Sequence, residues 1–258
     1  MTAEADKSIL AGTDAKPELK AALSFSTPEH APGGRLRNFF LDGEAGRLEA
    51  LLNEGHAEAA YCAVVCHPHP KGGGTMHNKV VYHAAKVFQG QGWPVLRFNF
   101  RGTGLSEGAH DGRAEARDVH VALDWLKATY GKPVVAAGFS FGAAMGLKAA
   151  SERGDVESAV VGFAALGLPI EAGERRYEHP YLAKCLFPKL FLSGDHDEYA
   201  QVDRLRAVVD AAPEPKRFVA VAGADHFFTG HLREMQTELG GWLVEERGWG
   251  TESKSRFP

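Results

Sequence analysis

Apolar and polar positions along the chain fall into two alternating patterns. Residues 36–41 and 47–53 read as strands joined by a turn through Asp42, Gly43, Glu44, Ala45 and Gly46. Residues 60–66 are a short apolar run of the buried-strand kind. From 78 to 89 the period becomes helical, with Val80, Ala84, Val87 and Phe88 on one stripe. The alternation then repeats. Strands are predicted over 95–100, 134–139, 159–166, 190–192 and 218–222, and helices over 118–130, 141–151, 202–212 and 231–244. Val119, Ala122, Leu123 and Leu126 face inward on one helix, and Leu232, Met235, Leu239, Trp242 and Leu243 keep register on the last.

Two strands followed by strand–helix units predict an α/β fold, a mostly parallel central sheet with helices on both faces. Folds of this kind place their chemistry at the carboxyl ends of the strands. Residues 1–34 lack periodicity and end in Pro32-Gly33-Gly34, which reads as a flexible or loosely docked extension. Residues 35–247 are expected to form one domain, and 248–258 a polar tail.

Composition narrows the classes. The 258 residues are 44% hydrophobic and 24% charged, ordinary for a globular protein able to bury a core without staples. Lys plus Arg is 29 against 33 Asp plus Glu, with no basic stripe, so neither a nucleic acid nor a membrane surface is the expected partner. The first residues carry Glu4, Asp6 and Lys7 and no apolar signal segment, and no run reaches membrane-spanning length, so a cytoplasmic protein is expected. Cys62 and Cys66, four residues apart on one strand, sit roughly 13 Å from each other. They cannot bridge, and with Cys185 they read as buried free thiols.

The strand over 134–139 runs into Gly138-Phe139-Ser140-Phe141-Gly142 and then a helix. G-x-S-x-G between strand and helix is a nucleophile elbow, which holds a serine on a strained turn at a helix N-terminus. A serine nucleophile needs a base, and the base an orienting acid. His226, after the strand over 218–222, is the base candidate, and Asp195, Asp197 and Glu198 follow the strand over 190–192. Asp197 is favoured, because it lies far enough past Gly194 to turn back toward His226. Asp195 and Asp225 read as turn residues. An oxyanion hole needs two backbone N–H groups, one from Phe141 and one from the loop over 67–76. Pro68 and Pro70 have no N–H, so His69 is the nearest donor, with Lys71 and the glycines as substitutes. Phe139, Phe227 and His77 are candidates for a substrate pocket.

Rival chemistries fit less well. His67, His69 and His77 suggest a metal, but no carboxylate or cysteine with ligand spacing joins them, so neither a metal nor another cofactor is expected. Gly72-Gly73-Gly74 lacks the Gly-Lys-Ser/Thr ending of a phosphate loop. Arg101 reads either as a clamp on a substrate carboxylate or as a turn residue bonded to backbone carbonyls.

Taken together, Cys66-His67-Pro68-His69-Pro70, Gly73-Gly74-Thr75-Met76-His77-Asn78-Lys79-Val80, Arg97-Phe98-Asn99-Phe100-Arg101-Gly102, the elbow and Gly223-Ala224-Asp225-His226-Phe227-Phe228 resemble a group of small bacterial single-domain α/β-hydrolases. That group is distantly similar to dienelactone hydrolases, and the resemblance spans about residues 36–245. It implies an α/β-hydrolase fold without a large cap and a triad of Ser140, Asp197 and His226. Dienelactone hydrolases proper use a cysteine and haloalkane dehalogenases an aspartate where Ser140 stands. This chain departs from the group at His77, where an acid is usual, and over 167–187, a longer and more polar segment expected to form a small flap. The expected function is serine-dependent hydrolysis of small carboxylic esters or thioesters through an acyl-enzyme. A peptidase or amidase on the same triad, or a non-catalytic binding protein with this fold, are the alternatives.

Overall fold

The computed structural model describes residues 35–152, 160–173 and 175–245. The proposed extension over 1–34, the tail over 248–258 and Ala159 lie outside the described residues. The chain opens with an antiparallel hairpin, β1 (Leu36–Gly43) and β2 (Gly46–Asn53), closed by Glu44 and Ala45. Then follow β3 (Cys62–Cys66), α1 (Lys79–Gly90), β4 (Val95–Phe98), α2 (Glu115–Tyr130), β5 (Val134–Phe139), α3 (Phe141–Glu152) and β6 (Val160–Leu166). A small hairpin, β7 (Glu171–Ala172) with β8 (Arg175–Arg176), precedes β9 (Lys189–Gly194), α4 (Val202–Ala211), β10 (Lys216–Val221) and α5 (Leu232–Glu245).

The main sheet has eight strands in the order β1-β2-β4-β3-β5-β6-β9-β10. β1 and β2 run antiparallel to their neighbours, and the remaining pairs are parallel. Every residue of β3, β5 and β9 is buried, because helices cover both faces of the central strands. One apolar layer holds α2, α3 and α4 against the sheet, and the other holds α1 and α5. Strand order changes direction between β3 and β5: β4 lies to one side of this pair, and β6, β9 and β10 to the other. The crevice outside that switch is where ligands bind in open sheets of this kind. Among the described residues, no helix is long and apolar enough to cross a membrane.

Several element boundaries differ from the sequence reading, and at two of them the hydrogen bonds give the reason. β4 ends at Phe98, because Asn99 N–H turns to the Glu49 carbonyl and Phe100 N–H to the His67 ring. α2 begins a turn before Asp118, at Glu115, after Asp111 takes the N–H groups of Arg113 and Ala114. Its inward face carries Glu115 and Asp118, both fully buried, which interrupts the apolar stripe that marks a helix in sequence. Asp118 is there to receive Arg101. Both Nε (3.0 Å) and Nη2 (2.6 Å) donate to Oδ1, and the Arg101 N–H donates to Oδ2 at 2.9 Å. Arg101 therefore grips an internal carboxylate, neither a substrate nor backbone carbonyls.

Candidate active site

Four strand ends build the site. Ser140 follows β5 with φ +53°, in the left-handed region that residues other than glycine rarely occupy. The turn survives because its neighbours are too small to collide. A Cβ on Gly138 would lie 2.4 Å from the carbonyl of Gly142, and one on Gly142 would lie 2.5 Å from the carbonyl oxygens of Cys66 and His67. The second contact also fixes the start of α3 against the loop after β3.

His226 follows β10, on a turn shaped by Asp225, whose Oδ1 accepts the N–H groups of Phe227 and Thr229. Its Nε2 lies 3.0 Å from Ser140 Oγ, and its Nδ1 lies 2.9 and 2.8 Å from the two oxygens of Asp197. The roles follow from what each partner can offer. Nδ1–H donates to the carboxylate, so Nε2 is left as the acceptor of the Ser140 Oγ–H hydrogen bond. Asp197 is buried past β9, and its oxygens also accept Ser193 Oγ–H (2.9 Å) and the N–H groups of Tyr199 (2.9 Å) and Ala200 (3.0 Å). Asp195 instead accepts Gly223 N–H at 2.7 Å and ties the ends of β9 and β10 together. Glu198 is exposed. Of the three acids after β9, only Asp197 meets the imidazole.

Aromatic rings hold the imidazole from several sides. Phe139 lies 5.0 Å from it, Tyr199 4.6 Å and Phe227 5.2 Å, centroid to centroid. Phe139 is fully buried, so it props His226 and presents no face to a substrate. Phe227 is half-exposed beside the same ring. A cavity of about 350 Å³ adjoins Tyr199, bounded by Ile170, Glu171, Glu198 and Arg204. Ser193 and Tyr199 were not singled out in the sequence. A hydroxyl at the strand end just before Gly194 was the available signal for Ser193, and nothing marked Tyr199.

The loop after β3 is tied together by its own hydrogen bonds. Lys71 N–H donates to His69 Nδ1, Gly73 N–H to the Pro70 carbonyl, and Gly72 and Gly74 N–H to the His69 carbonyl. The proposed substitutes for His69 as a second oxyanion donor are thus engaged within the loop. No partner for the His69 N–H itself is found among the described residues. Its ring lies 4.9 Å from that of Phe141, the residue after Ser140. His77 is exposed at the loop's far end, its N–H on Thr75 Oγ1.

His67 is fully buried, its Nδ1 2.7 Å from the Pro68 carbonyl and its Nε2 accepting Phe100 N–H at 2.9 Å. Both nitrogens are committed to backbone, which leaves none for a metal. Among the described residues, no three His, Cys, Asp or Glu side chains are placed to hold an ion. Burial pushes the His67 pKa down to about 4, against the opposing pull of the Pro68 carbonyl. The unfolded chain takes up this proton near the ordinary value of 6.5. Stability from His67 is therefore complete above that pH and is lost as pH falls toward 4, by roughly 3 kcal/mol in all. Thermal melts should show this decline, and the His67 ring proton signals should not titrate above about pH 5. Titration near 6.5 would contradict the burial argument.

The three cysteines are buried and free. Burial holds the Cys66 thiol up at about 12, far from a reactive thiolate. The segment over 167–187 forms the β7–β8 hairpin and a short 3₁₀ turn (Pro180–Lys184). The hairpin reaches the loop after β3, where the Arg175 guanidinium meets His69 Nε2.

Comparison with known proteins agrees with this fold. The sequence profile of the alpha/beta hydrolase domain matches residues 62–242. An uncharacterized protein of Rickettsia prowazekii is 32% identical over 213 residues, 80% of this chain and 87% of that one. An alpha-beta serine hydrolase homologue from Coxiella burnetii superposes with a TM-score of 0.72 at 33% identity, covering 80% of this chain and 97% of its own. An α/β serine hydrolase without lid from Xanthomonas campestris gives 0.71 at 27% identity, covering 84% and 96%.

Proposed function

The chain belongs to the α/β-hydrolase domain family, and on that premise we propose that it is a serine hydrolase of small carboxylic esters or thioesters. The observation that carries this reading is the unbroken hydrogen-bond chain from Ser140 through His226 to Asp197. Ser140 Oγ attacks the substrate carbonyl while His226 Nε2 takes its proton. Asp197 holds the imidazole in the tautomer that leaves Nε2 a base and stabilises the imidazolium that forms. The N–H groups of Phe141 and His69 receive the charge that develops on the carbonyl oxygen. His226 returns the proton to the leaving alcohol or thiol, and water, activated by the same base, clears the acyl group from Ser140. Side chains, two backbone N–H groups and water supply every role, so this mechanism calls on no cofactor.

Among the described residues, a small hairpin and a 3₁₀ turn separate β6 from β9, too short a connection for a large cap to enclose a long chain. Short acyl groups are therefore expected to react best. A panel of 4-nitrophenyl esters from acetate to laurate, with matched anilides, tests this. kcat/KM should peak at acetate or butyrate and fall about tenfold or more by octanoate, with anilides slower by about three orders of magnitude. Rates rising steadily to laurate, or anilides matching esters, would overturn it.

A further inference from the structure

The His69 ring is offered more hydrogen-bond donors than it can accept. Lys71 N–H faces Nδ1 at 3.1 Å, and the Arg175 guanidinium abuts Nε2. Burial, with His110 and Arg175 beside it, pushes the His69 pKa down to about 4, Lys71 adding to the effect and Glu115 opposing it. At neutral pH the ring is uncharged, with one N–H and one acceptor nitrogen. If Nδ1 accepts from Lys71, then Nε2–H confronts the guanidinium N–H. If Nε2 accepts from Arg175, then Nδ1–H confronts Lys71 N–H. Either tautomer sets two donors against each other with no acceptor between them.

Among the described residues, no carboxylate is bonded to Arg175 or to the His69 ring. Among the described residues, Arg175 forms no ion pair. Glu171, on the same hairpin, is taken by Arg204 at 2.8 Å, and Glu115 offers Oε1 to His110 at 2.5 Å and to the N–H groups of Asp111 and Gly112, while its Oε2 is buried and bonded to neither Arg175 nor His69. Arg175 is exposed, and a guanidinium and an imidazole N–H converging from a hairpin and the loop after β3 form a two-point cradle for a carboxylate. The cradle stands beside the reacting centre, since the His69 ring packs on Phe141, next to Ser140.

We propose that the missing acceptor is carried by the substrate: the esters cleaved at Ser140 bear a second, free carboxylate, held between Arg175 and His69. This rests on the serine hydrolase reading and names the substrate class within it. Arg175 acts in binding, so its removal should raise KM more than it lowers kcat.

Initial rates on monomethyl glutarate and methyl valerate, read by pH-stat, test the proposal. The wild type should favour the half-ester in kcat/KM by tenfold or more. Arg175→Gln should erase about tenfold of that preference through KM, and Arg175→Lys should keep part of it. Equal losses on both esters, or an unchanged preference, would overturn the assignment. Calorimetry of monomethyl glutarate on Ser140→Ala separates this from the hydrolase reading, because it needs no turnover. Binding should weaken about tenfold on adding Arg175→Gln and weaken with salt. Binding present without hydrolysis by the wild type would sink the hydrolase reading alone, and binding indifferent to Arg175 would sink the carboxylate cradle alone.

Discussion

Ser140→Ala is expected to lower kcat on the best ester by about six orders of magnitude, leaving the residual rate that binding and oxyanion contacts support. The size of the loss follows from the roles being serial. Without Oγ there is no acyl-enzyme, and His226 has no hydroxyl within reach to deprotonate. The substitution is otherwise small. Ser140 is partly exposed, and its backbone bonds, N–H to the Leu166 carbonyl at 2.8 Å and carbonyl to Ala143 N–H at 2.9 Å, do not involve the side chain. Alanine inherits the same positive φ, so the melting temperature should move by no more than a few degrees. Loss of activity with an unchanged melt assigns the effect to chemistry. A variant that keeps more than about a hundredth of the activity would mean another nucleophile.

Asp197→Asn is expected to lower kcat near neutral pH by about four orders of magnitude, by reversing the tautomer of His226. Oδ1 of Asp197 accepts two backbone N–H groups, from Tyr199 and Ala200, so the asparagine oxygen must take that position. The amide NH₂ is then forced into the place of Oδ2, facing Ser193 Oγ and His226 Nδ1. Ser193 can rotate its hydroxyl to accept. Nδ1 lies 2.8 Å from that donor and 2.9 Å from an oxygen already accepting two N–H groups, so the imidazole is expected to move its proton to Nε2, where it faces Ser140 and can no longer act as a base. Ser193→Ala removes one of several bonds to the same carboxylate and should cost far less. Comparable losses from the two substitutions would contradict the tautomer argument. An Asp197→Asn enzyme within about tenfold of wild type would show that another group orients the base.

Much of this site is legible in the sequence because its logic is local. A strand, two glycines around a serine and a following helix describe the elbow completely, and the close approaches at Gly138 and Gly142 give the physical reason for them. The choice of Asp197 over Asp195 and Glu198 rests on how far each lies past Gly194, which is also local. What escapes the sequence is pairing across distance. Asp118 stands at the start of the predicted helix, and nothing near it in the chain announces Arg101, 17 positions earlier, as its buried partner. Arg175 is one polar residue in a polar segment until the hairpin folds back onto His69, 106 positions earlier. Phe139 adjoins Ser140 in sequence, and alternation along β5 puts it on the face of Val135 and Ala137, while the left-handed turn at Ser140 carries Phe141 into the other apolar layer.

The central claim is that Ser140 is an activated nucleophile. Fluorophosphonate labelling read by intact mass, with peptide mapping of the adduct, tests it most directly on the wild type and on Ser140→Ala. The account predicts a single adduct on the wild type, mapped to Ser140, and none on the variant. A folded wild-type protein that takes no adduct, or takes it at another residue, would contradict it.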